Sequence, residues 1–174
     1  MEDRLKEIFG GITDYYDLPL RLSSRCETKV YYRVEDLSSD DIETCAQYIG
    51  ERVNNVCLPS LPEIIVDLPG NFAGLAEALS KELAPPGESM EVIKFEQLEG
   101  GNGISRRIKN TQILFVNDVI TTARSCLEAH TKVTMMGGAV LCWATLIDRT
   151  FGPGPVPVVA AFTGAPVNLL EELS

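Results

Sequence analysis

The segment from Ile113 to Ser125 carries the residues best suited to bind a small charged ligand. Its first four residues are apolar and typical of a buried strand, and two short polar side chains, Asn117 and Asp118, follow them. A carboxylate at the end of a strand can accept hydrogen bonds from the hydroxyl groups of a diol. We therefore interpret Asp118 as the acceptor of a candidate sugar site, with Asn117 and Val119 beside it.

The polar turn after these residues has the composition of an anion site at the start of a helix. Its residues are Thr121, Thr122, Ala123, Arg124 and Ser125. Ser125 and Glu128 fit a capping box, which predicts that the helix begins at Ser125. Backbone amides ahead of a helix lie at the positive end of its dipole and bind phosphate readily. Phosphate donors beside diol acceptors suit a ribose 5-phosphate. Every α/β domain has turns of this kind, so a purely structural role is the alternative.

Apolar segments and helical patterns alternate along the rest of the chain. The predicted strands are Lys29–Val34, Glu63–Leu68, Met90–Phe95, Gln112–Val116, Ala139–Ile147 and Val156–Phe162. The predicted helices lie around Leu5–Phe9, after Ser38, over Phe72–Leu83, from Ser125 to about Gly137, and at the C-terminus. Glu96–Asn110 reads as a polar, Gly-rich loop, and Gly100–Gly103 within it as mobile. This order is typical of a parallel sheet with helices on both faces.

Ligands of such sheets bind outside the carboxyl ends of the strands. In this chain those ends are followed by three segments, Pro69–Gly74, Asn117–Ser125 and Asp148–Gly154. The sequence therefore predicts that the three segments meet at one edge of the sheet and form the binding site.

The literal sequence of Ile113–Ser125 resembles the phosphoribosyl-pyrophosphate (PRPP) motif of the type I phosphoribosyltransferases. That motif has four apolar residues, two acids, two apolar residues and then T-T-G-G-S or a variant. Leu22-Ser23-Ser24 followed by Val30-Tyr31-Tyr32 is similar to the L-x-S-G…Y-Y segment of the orotate phosphoribosyltransferases. Val66–Asn71 stands where they keep a pyrophosphate-binding loop, and Asp148-Arg149 looks like the D-R after one of their late strands.

The resemblance extends over residues 20–162 and implies a fold and an activity. The fold is α/β, a mainly parallel twisted sheet with helices on both faces, in one domain over residues 1–174. A small hood would include residues 1–36 and the C-terminal tail. The activity is transfer of ribose 5-phosphate from PRPP to a nitrogenous base, orotate first, with release of pyrophosphate. The resemblance also implies a homodimer, and Mg²⁺ that is held mainly by the ligand and water.

The site residues that the resemblance implies fall into three groups. For PRPP they are Asn117, Asp118 (also the catalytic residue), Val119, Thr121, Thr122, Ala123, Arg124 and Ser125. For pyrophosphate they are Pro69, Gly70 and Asn71, and for the base Tyr31 and Tyr32. Neighbouring residues of a strand point to opposite sides, so we expect only one of the two tyrosines to face a base.

Two departures from the family pattern fall inside the motif. Asn117 replaces the first acid, which costs on the order of 1 kcal/mol in binding if a charged acceptor becomes a neutral one. Ala123 and Arg124 replace two glycines. Arg124 resembles the Arg or Lys of several type I enzymes and could touch the phosphate. If Ala123 needs a left-handed backbone, its methyl group costs about 1–2 kcal/mol.

The largest departure lies in the loop ahead of the motif. Aligning Lys94–Gly101 with the family's R-K-x-x-K-x-H-G places Leu98 at the position of a catalytic lysine and Gly100 at that of the histidine. The remaining candidates for loop cations are Lys94, Arg106 and Arg107. The alternative for Arg106 and Arg107 is that they are solvent-exposed residues ahead of the next strand, with no role in binding. The departures favour, as the alternative to an enzyme, a protein that senses PRPP or a nucleotide without turnover.

Composition excludes several other classes. The net charge of −10 argues against a nucleic-acid partner, because binding a phosphate backbone requires clustered cations. No apolar run approaches the ~20 residues that span a membrane, and Met1–Leu5 has no apolar core of a secretion signal, so we expect a cytoplasmic protein. The cysteines are Cys26, Cys45, Cys57, Cys126 and Cys142. They form no C-x-x-C pair, and the single His130 cannot complete a zinc site, so we interpret them as reduced packing residues.

Overall fold

The chain forms a five-stranded parallel sheet with helices on both faces, and a second, three-stranded sheet. The computed structural model describes residues 1–22, 25–99, 102–150, 152–165 and 167–169. The helices are α1 Glu2–Gly11, α2 Ser39–Cys57, α3 Leu75–Glu82, α4 Asn102–Ile108 and α5 Arg124–Met135. The strands are β1 Thr13–Arg21, β2 Cys26–Tyr32, β3 Ile64–Asp67, β4 Glu91–Lys94, β5 Gln112–Ile120, β6 Ala139–Asp148, β7 Val158–Thr163 and β8 Asn168–Leu169. Two 3₁₀ turns span Val34–Asp36 and Phe95–Glu99.

The large sheet has the strand order β4-β3-β5-β6-β7, and every neighbouring pair in it is parallel. The predicted α/β fold with a parallel sheet is therefore confirmed. The small sheet is antiparallel, with the order β1-β2-β8, and joins the start of the chain to residues near its end. No helix in the described ranges has the length and hydropathy needed to span a membrane.

Successive residues of β5 pack into two different clusters, because neighbouring side chains of a strand point to opposite faces. Leu114 and Val116 join helices α1, α2 and α3 on one face. Ile113 and Phe115 join α4 and α5 on the other. Burial on both faces explains why the central strands are apolar without alternation. It also places the polar end of β5 at the edge of a rigid sheet.

Local sequence signals place the helix starts correctly only in part. Ser38 caps α2, and its hydroxyl accepts a hydrogen bond from Asp41 N at 3.2 Å. Helix α3 begins at Leu75 and not at Phe72, so the predicted start is wrong. The physical reason is that the amides of Phe72 and Ala73 donate to the Asp118 side chain, and Gly74 has a left-handed backbone with φ of +81°. The chain between β3 and α3 therefore stays open at the edge of the sheet.

The prediction of a polar, Gly-rich loop over Glu96–Asn110 is wrong for most of its length. The segment contains most of the second 3₁₀ turn and all of α4, and Leu98, Ile104 and Ile108 are buried in the cluster under α5. Three apolar side chains in an otherwise polar segment are enough to hold it against the sheet. Gly100 and Gly101 lie outside the described residues.

Strand β1 was not predicted, because most of its residues are exposed and its sequence shows no alternation. At the C-terminus Asn168–Leu169 forms a strand where a helix was predicted, since Asn168 pairs with Glu27 of β2. Residues 170–174 lie outside the described part of the chain.

Candidate active site

A cavity of about 430 Å³ lies at the carboxyl ends of β3, β5 and β6. Its volume falls within the range of small-molecule sites. Most of the residues singled out in the sequence line it, namely Tyr31, Tyr32, Pro69, Gly70, Asn117, Asp118, Val119, Thr121, Thr122, Ala123, Arg124 and Ser125. Loops that are far apart in sequence meet here because parallel strands end at the same edge of a sheet.

The turn from Thr121 to Ser125 has the geometry of an anion site. Ala123 has a left-handed backbone, with φ of 56° and ψ of 10°, and helix α5 begins directly after it at Arg124. Leu127 N donates the first hydrogen bond of the helix to Ala123 O, at 2.9 Å. The amides between them have no intrahelical acceptor, as at any helix start. These amides and the hydroxyl groups of the turn can together hold a phosphate group.

The predicted capping box at Ser125 is wrong. Ser125 lies inside α5, the cap residue is Ala123, and no side chain caps the helix. The carboxylate of Glu128 instead pairs with Lys132 one turn later, at 3.1 Å. The left-handed Ala123 turns the chain into the helix two residues before Ser125, so the helix start has no side-chain cap and lies at the cavity.

Replacing Ala123 with glycine is expected to raise the free energy of unfolding by about 0.5–1 kcal/mol. The left-handed backbone costs a β-carbon about 1–2 kcal/mol, and the greater freedom of glycine in the unfolded chain offsets part of that gain. Urea unfolding measures the difference. The matched control is Ala129→Gly, at a fully buried site of α5, which should lose at least about 1 kcal/mol. Loss of stability in both variants would contradict the strain assigned to Ala123.

Asp118 is buried at the end of β5 and holds the neighbouring loop. Its Oδ2 accepts hydrogen bonds from Phe72 N at 2.5 Å and Ala73 N at 3.0 Å. Its Oδ1 is buried without a hydrogen-bond partner among the described residues. Burial raises the pKa of Asp118 to about 6, although the two loop amides act to lower it. The carboxylate therefore keeps unused acceptor capacity, as a site for ligand hydroxyl groups requires.

Asn117 makes one contact that an aspartate could not make, a hydrogen bond donated to the loop after β3. Its Nδ2 donates to Pro69 O, with 3.4 Å between the atoms, and its Oδ1 accepts from Asp118 N at 2.8 Å. A carboxylate has no hydrogen to donate to the Pro69 carbonyl. The departure from two acids to Asn-Asp therefore has a structural reason, which is that the amide joins β5 to the loop after β3.

Asn71 and the predicted loop cations do not line the cavity. The ammonium of Lys94 pairs with Asp67 and, at 3.1 Å, with Glu77. Asn71 Nδ2 donates to Asp67 Oδ1 at 2.5 Å. In the last turn of α4, Arg107 pairs with Glu91 and Arg106 is exposed. Lys94 and Arg107 are therefore paired with carboxylates outside the cavity.

Arg149 is a buried cation in the cavity wall, and it belongs to the Asp148–Gly154 segment that the sequence predicted at this edge of the sheet. It is 4% exposed, and its guanidinium donates to Ala165 O at 2.7 Å, Thr28 Oγ1 at 2.6 Å and Val30 O at 3.3 Å. No carboxylate among the described residues pairs with it, and burial lowers its pKa. A buried cation without an anion suits a negatively charged ligand group.

Both tyrosines reach the cavity, although only one was expected to face it. Tyr32 is buried beneath the Arg149 guanidinium, which lies 5.4 Å from its ring centroid, and its hydroxyl accepts from Ala165 N at 2.8 Å. Tyr31 is half-buried, and burial followed by the charge of Glu35 raises the pKa of its phenol. Both line the wall because β2 ends beside it. Glu35 and Arg25 also line the cavity, and no sequence pattern pointed to them.

The comparisons with solved structures identify the fold. The structure is similar to orotate phosphoribosyltransferase from Aeropyrum pernix, at a TM-score of 0.66 and 19% identity, over 91% of this chain and 93% of that one. It is also similar to the Mycobacterium tuberculosis orotate phosphoribosyltransferase in complex with PRPP, at a TM-score of 0.59 and 20% identity, over 93% of this chain and 95% of that one. The chain has the type I phosphoribosyltransferase fold.

The structure is also similar to that of a hypothetical protein from Neisseria gonorrhoeae with bound ppGpp. That structure matches at a TM-score of 0.55 and 12% identity, over 74% of this chain and 81% of the other. No protein-family model matches the sequence, and neither does any curated protein. The comparison of structures therefore detects neighbours of this chain that the comparison of sequences does not detect.

Proposed function

We propose that the protein binds PRPP and transfers its ribose 5-phosphate to a nitrogenous base, with orotate as the first candidate. In this reaction the bond from the anomeric carbon to the pyrophosphate oxygen breaks and a bond to a ring nitrogen of the base forms. Pyrophosphate leaves with the electron pair of the broken bond, and the base gives up its ring proton or negative charge. The fold supports this class of reaction, and the contacts in the cavity support the assignment of its parts.

One observation carries the proposal. The uncapped start of α5 lines the same cavity as Asp118, whose Oδ1 has no hydrogen-bond partner among the described residues. An anion site and a diol acceptor, side by side at the carboxyl end of β5, match the two polar parts of a ribose 5-phosphate. The amides and hydroxyl groups of Thr121–Ser125 would hold the 5-phosphate, and Asp118 the ribose hydroxyl groups.

The metal and the leaving group would lie towards the loop after β3. Within the described residues there is no cluster of three acidic, histidine or cysteine side chains, so Mg²⁺ would be held by diphosphate oxygens and water. Bound in this way, the ion would neutralise charge that develops on the pyrophosphate. Pro69 and Gly70 would approach the pyrophosphate with their backbone, since both line the cavity.

The base would lie against Tyr31 and Arg149. A half-buried aromatic ring offers a stacking surface, and the guanidinium has two N–H bonds beyond the three that the protein uses. A fork of this kind binds a carboxylate in preference to a neutral group. Orotate carries a carboxylate, whereas uracil does not, so the site favours orotate between these two pyrimidines.

The deciding experiment is PRPP-dependent release of pyrophosphate, with Mg²⁺, for orotate, uracil and a panel of purine bases. We expect release with orotate and little with uracil. Binding of PRPP is measured separately by calorimetry. Release with another base alone would replace orotate, and absence of both release and PRPP binding would contradict the proposal as a whole.

Two arginine variants test the assignment of the two halves of the cavity. Arg149→Lys keeps the charge but loses the fork, so we expect the affinity for orotate to fall roughly ten- to a hundredfold with PRPP affinity nearly unchanged. Arg124→Ala is the matched variant at the phosphate turn, and it should weaken PRPP binding and spare orotate. Equal effects of both variants on both ligands would contradict the division of the site.

A second candidate function is a protein that binds PRPP or a nucleotide without turning it over. Leu98 is buried where the family pattern has a lysine, and Lys94, Arg106 and Arg107 do not line the cavity. The ppGpp-bound neighbour supports this alternative on the same fold. PRPP binding with no release for any base in the panel would favour it.

The proposal includes a homodimer, as the family resemblance implies. A partner subunit could supply the cation that the described residues do not bring to the pyrophosphate. Light scattering at micromolar concentration distinguishes a monomer from a dimer. A monomer that turns over PRPP would contradict this part of the proposal.

A further inference from the structure

Cys57 and Cys142 form a thiol pair in the core of the protein. Cys57 is the last residue of α2, Cys142 lies in β6, and their Sγ atoms are 3.3 Å apart although the residues are 85 positions apart in sequence. A disulfide needs the two sulfurs at about 2.0 Å, so they must approach by roughly 1.3 Å. We infer that this pair is an oxidisable site, and that its disulfide joins the end of α2 to the central sheet.

Cys45 and Cys126 differ from this pair in the pKa of the thiol and in its hydrogen bonding. Cys45 and Cys126 are buried, and burial raises the pKa of each to about 12. Neither forms a thiol–thiol hydrogen bond within the described residues. In the Cys57–Cys142 hydrogen bond either thiol can donate; this contact lowers the pKa of Cys57 and raises that of Cys142, which favours Cys57 as the nucleophile of the pair.

Access favours the same cysteine. Cys57 is 7% exposed, whereas Cys142 is fully buried. The neighbours of Cys57 in sequence, Val56 and Leu58, are 46% and 63% exposed. A small oxidant can therefore reach the pair from the end of α2. The helix C-terminus disfavours a thiolate at this point, so we expect slow oxidation and not the rapid reaction of a peroxidase.

The step is balanced with hydrogen peroxide as the oxidant. The thiolate sulfur of Cys57 attacks one peroxide oxygen, an S–O bond forms, the O–O bond breaks, and the hydroxide that leaves takes up the thiol proton as water. The Cys142 sulfur then attacks the sulfenic acid, an S–S bond forms, and the S–O bond breaks with release of a second water. In total two thiols and one peroxide give a disulfide and two waters.

The disulfide would act on stability and not on ligand binding. It closes a loop of 85 residues, and restricting the unfolded chain in this way is expected to raise the melting temperature by roughly 5–15 °C. Cys142 lies six residues before Asp148 at the carboxyl end of β6, a separation of about 20 Å along a strand. The cavity is therefore outside the direct reach of the cross-link.

The experiment treats the fully reduced protein with excess hydrogen peroxide over several hours and analyses it by intact mass, non-reducing peptide mapping and thermal unfolding. We expect loss of two hydrogen atoms, a cross-linked peptide containing Cys57 and Cys142, and a higher melting temperature that dithiothreitol reverses. Cys57→Ser and Cys142→Ala should each abolish the peptide and the shift. Cys45→Ser, on the same helix, is the matched control and should retain both.

Several outcomes would overturn the inference. One is a cross-link between other cysteines, and another is addition of oxygen to Cys57 without a cross-link. A third is a Cys57–Cys142 disulfide that lowers the melting temperature, which would mean that the sulfurs cannot approach without strain. If a serine or alanine variant fails to fold, the peptide map of the unmodified protein still decides between these results.

Discussion

Replacing Asp118 with asparagine is expected to make the protein more stable at pH 7 and, at the same time, to weaken its binding of PRPP. Burial raises the pKa of this carboxyl from 3.8 to about 6, so the folded state holds a proton there that the unfolded state has lost. The ionised carboxylate at pH 7 thus lowers the free energy of unfolding by up to about 3 kcal/mol. Asparagine carries no charge and removes that penalty, but its side-chain amide adds a buried N–H donor. We therefore expect the free energy of unfolding to rise by about 1–2 kcal/mol in total.

The pH dependence gives the sign of the effect. Well below pH 3.8 the carboxyl is protonated in both states and contributes no penalty. As pH rises from 4 to above 6, the folded protein must release a proton that it holds more tightly than the unfolded chain does. Its free energy of unfolding therefore falls relative to that of Asp118→Asn. Urea unfolding of both proteins at several pH values measures this difference, which should shift in favour of Asp118→Asn by up to about 3 kcal/mol between pH 3 and pH 7.

Ligand binding should change in the opposite direction. A neutral amide oxygen is a weaker acceptor for ribose hydroxyl groups than a carboxylate, and we expect PRPP affinity to fall roughly ten- to a hundredfold in calorimetry. Asp67→Asn is the matched control, a buried acid at the end of the next strand that pairs with Lys94. It should lose about 1–2 kcal/mol of stability, because its charge has a partner. Unchanged PRPP affinity in Asp118→Asn would remove Asp118 from the site.

Introducing lysine at Leu98 is expected to destabilise the protein by about 3–4 kcal/mol and not to create a faster enzyme. In the family pattern this position holds a catalytic lysine, whereas here Leu98 is 2% exposed in the cluster under α5. An ammonium without a partner in an apolar cluster loses its hydration and leaves the volume of leucine poorly filled. Guanidinium unfolding and pyrophosphate release measure the two effects.

Gln97→Lys is the control for the charge at Leu98. It adds the same charge at an exposed neighbour and removes one hydrogen bond, from Lys94 N to the Gln97 side chain, so its cost should stay below about 1.5 kcal/mol. A Leu98→Lys variant that is as stable as the parent and releases pyrophosphate faster would mean that this segment leaves the core and reaches the cavity.

The sequence predicts the site best where one segment contains it. Strand β5 and the turn after it are adjacent in sequence, so residue order alone places Asp118 and Thr121–Ser125 together. The parallel sheet follows from apolar strands that alternate with helices, and this too is visible in the sequence. The left-handed backbone expected of Ala123, in a position where the family pattern has glycine, is present in the structure.

The features that the sequence does not predict depend on contacts between distant segments. The start of α3 is displaced because Asp118, some 45 residues later, takes up the amides of Phe72 and Ala73. Arg149 becomes a cavity residue only when the small sheet brings Thr28 and Val30 to its guanidinium. Leu98 looks like part of a polar loop until the packing of α4 and α5 is known. No local pattern of charge or hydropathy in the sequence predicts these contacts between distant segments.

The hydrogen bonds from Phe72 and Ala73 to Asp118 have a consequence for how fast a ligand can bind. They hold the loop after β3 in its open, non-helical form before any ligand arrives, so the conformational entropy of that loop is already lost on folding. Association then requires neither a search through loop conformations nor the ordering cost that such a search entails. A ligand that enters this cavity meets one of its walls already in place, and its association rate should depend on diffusion and charge more than on rearrangement of that loop.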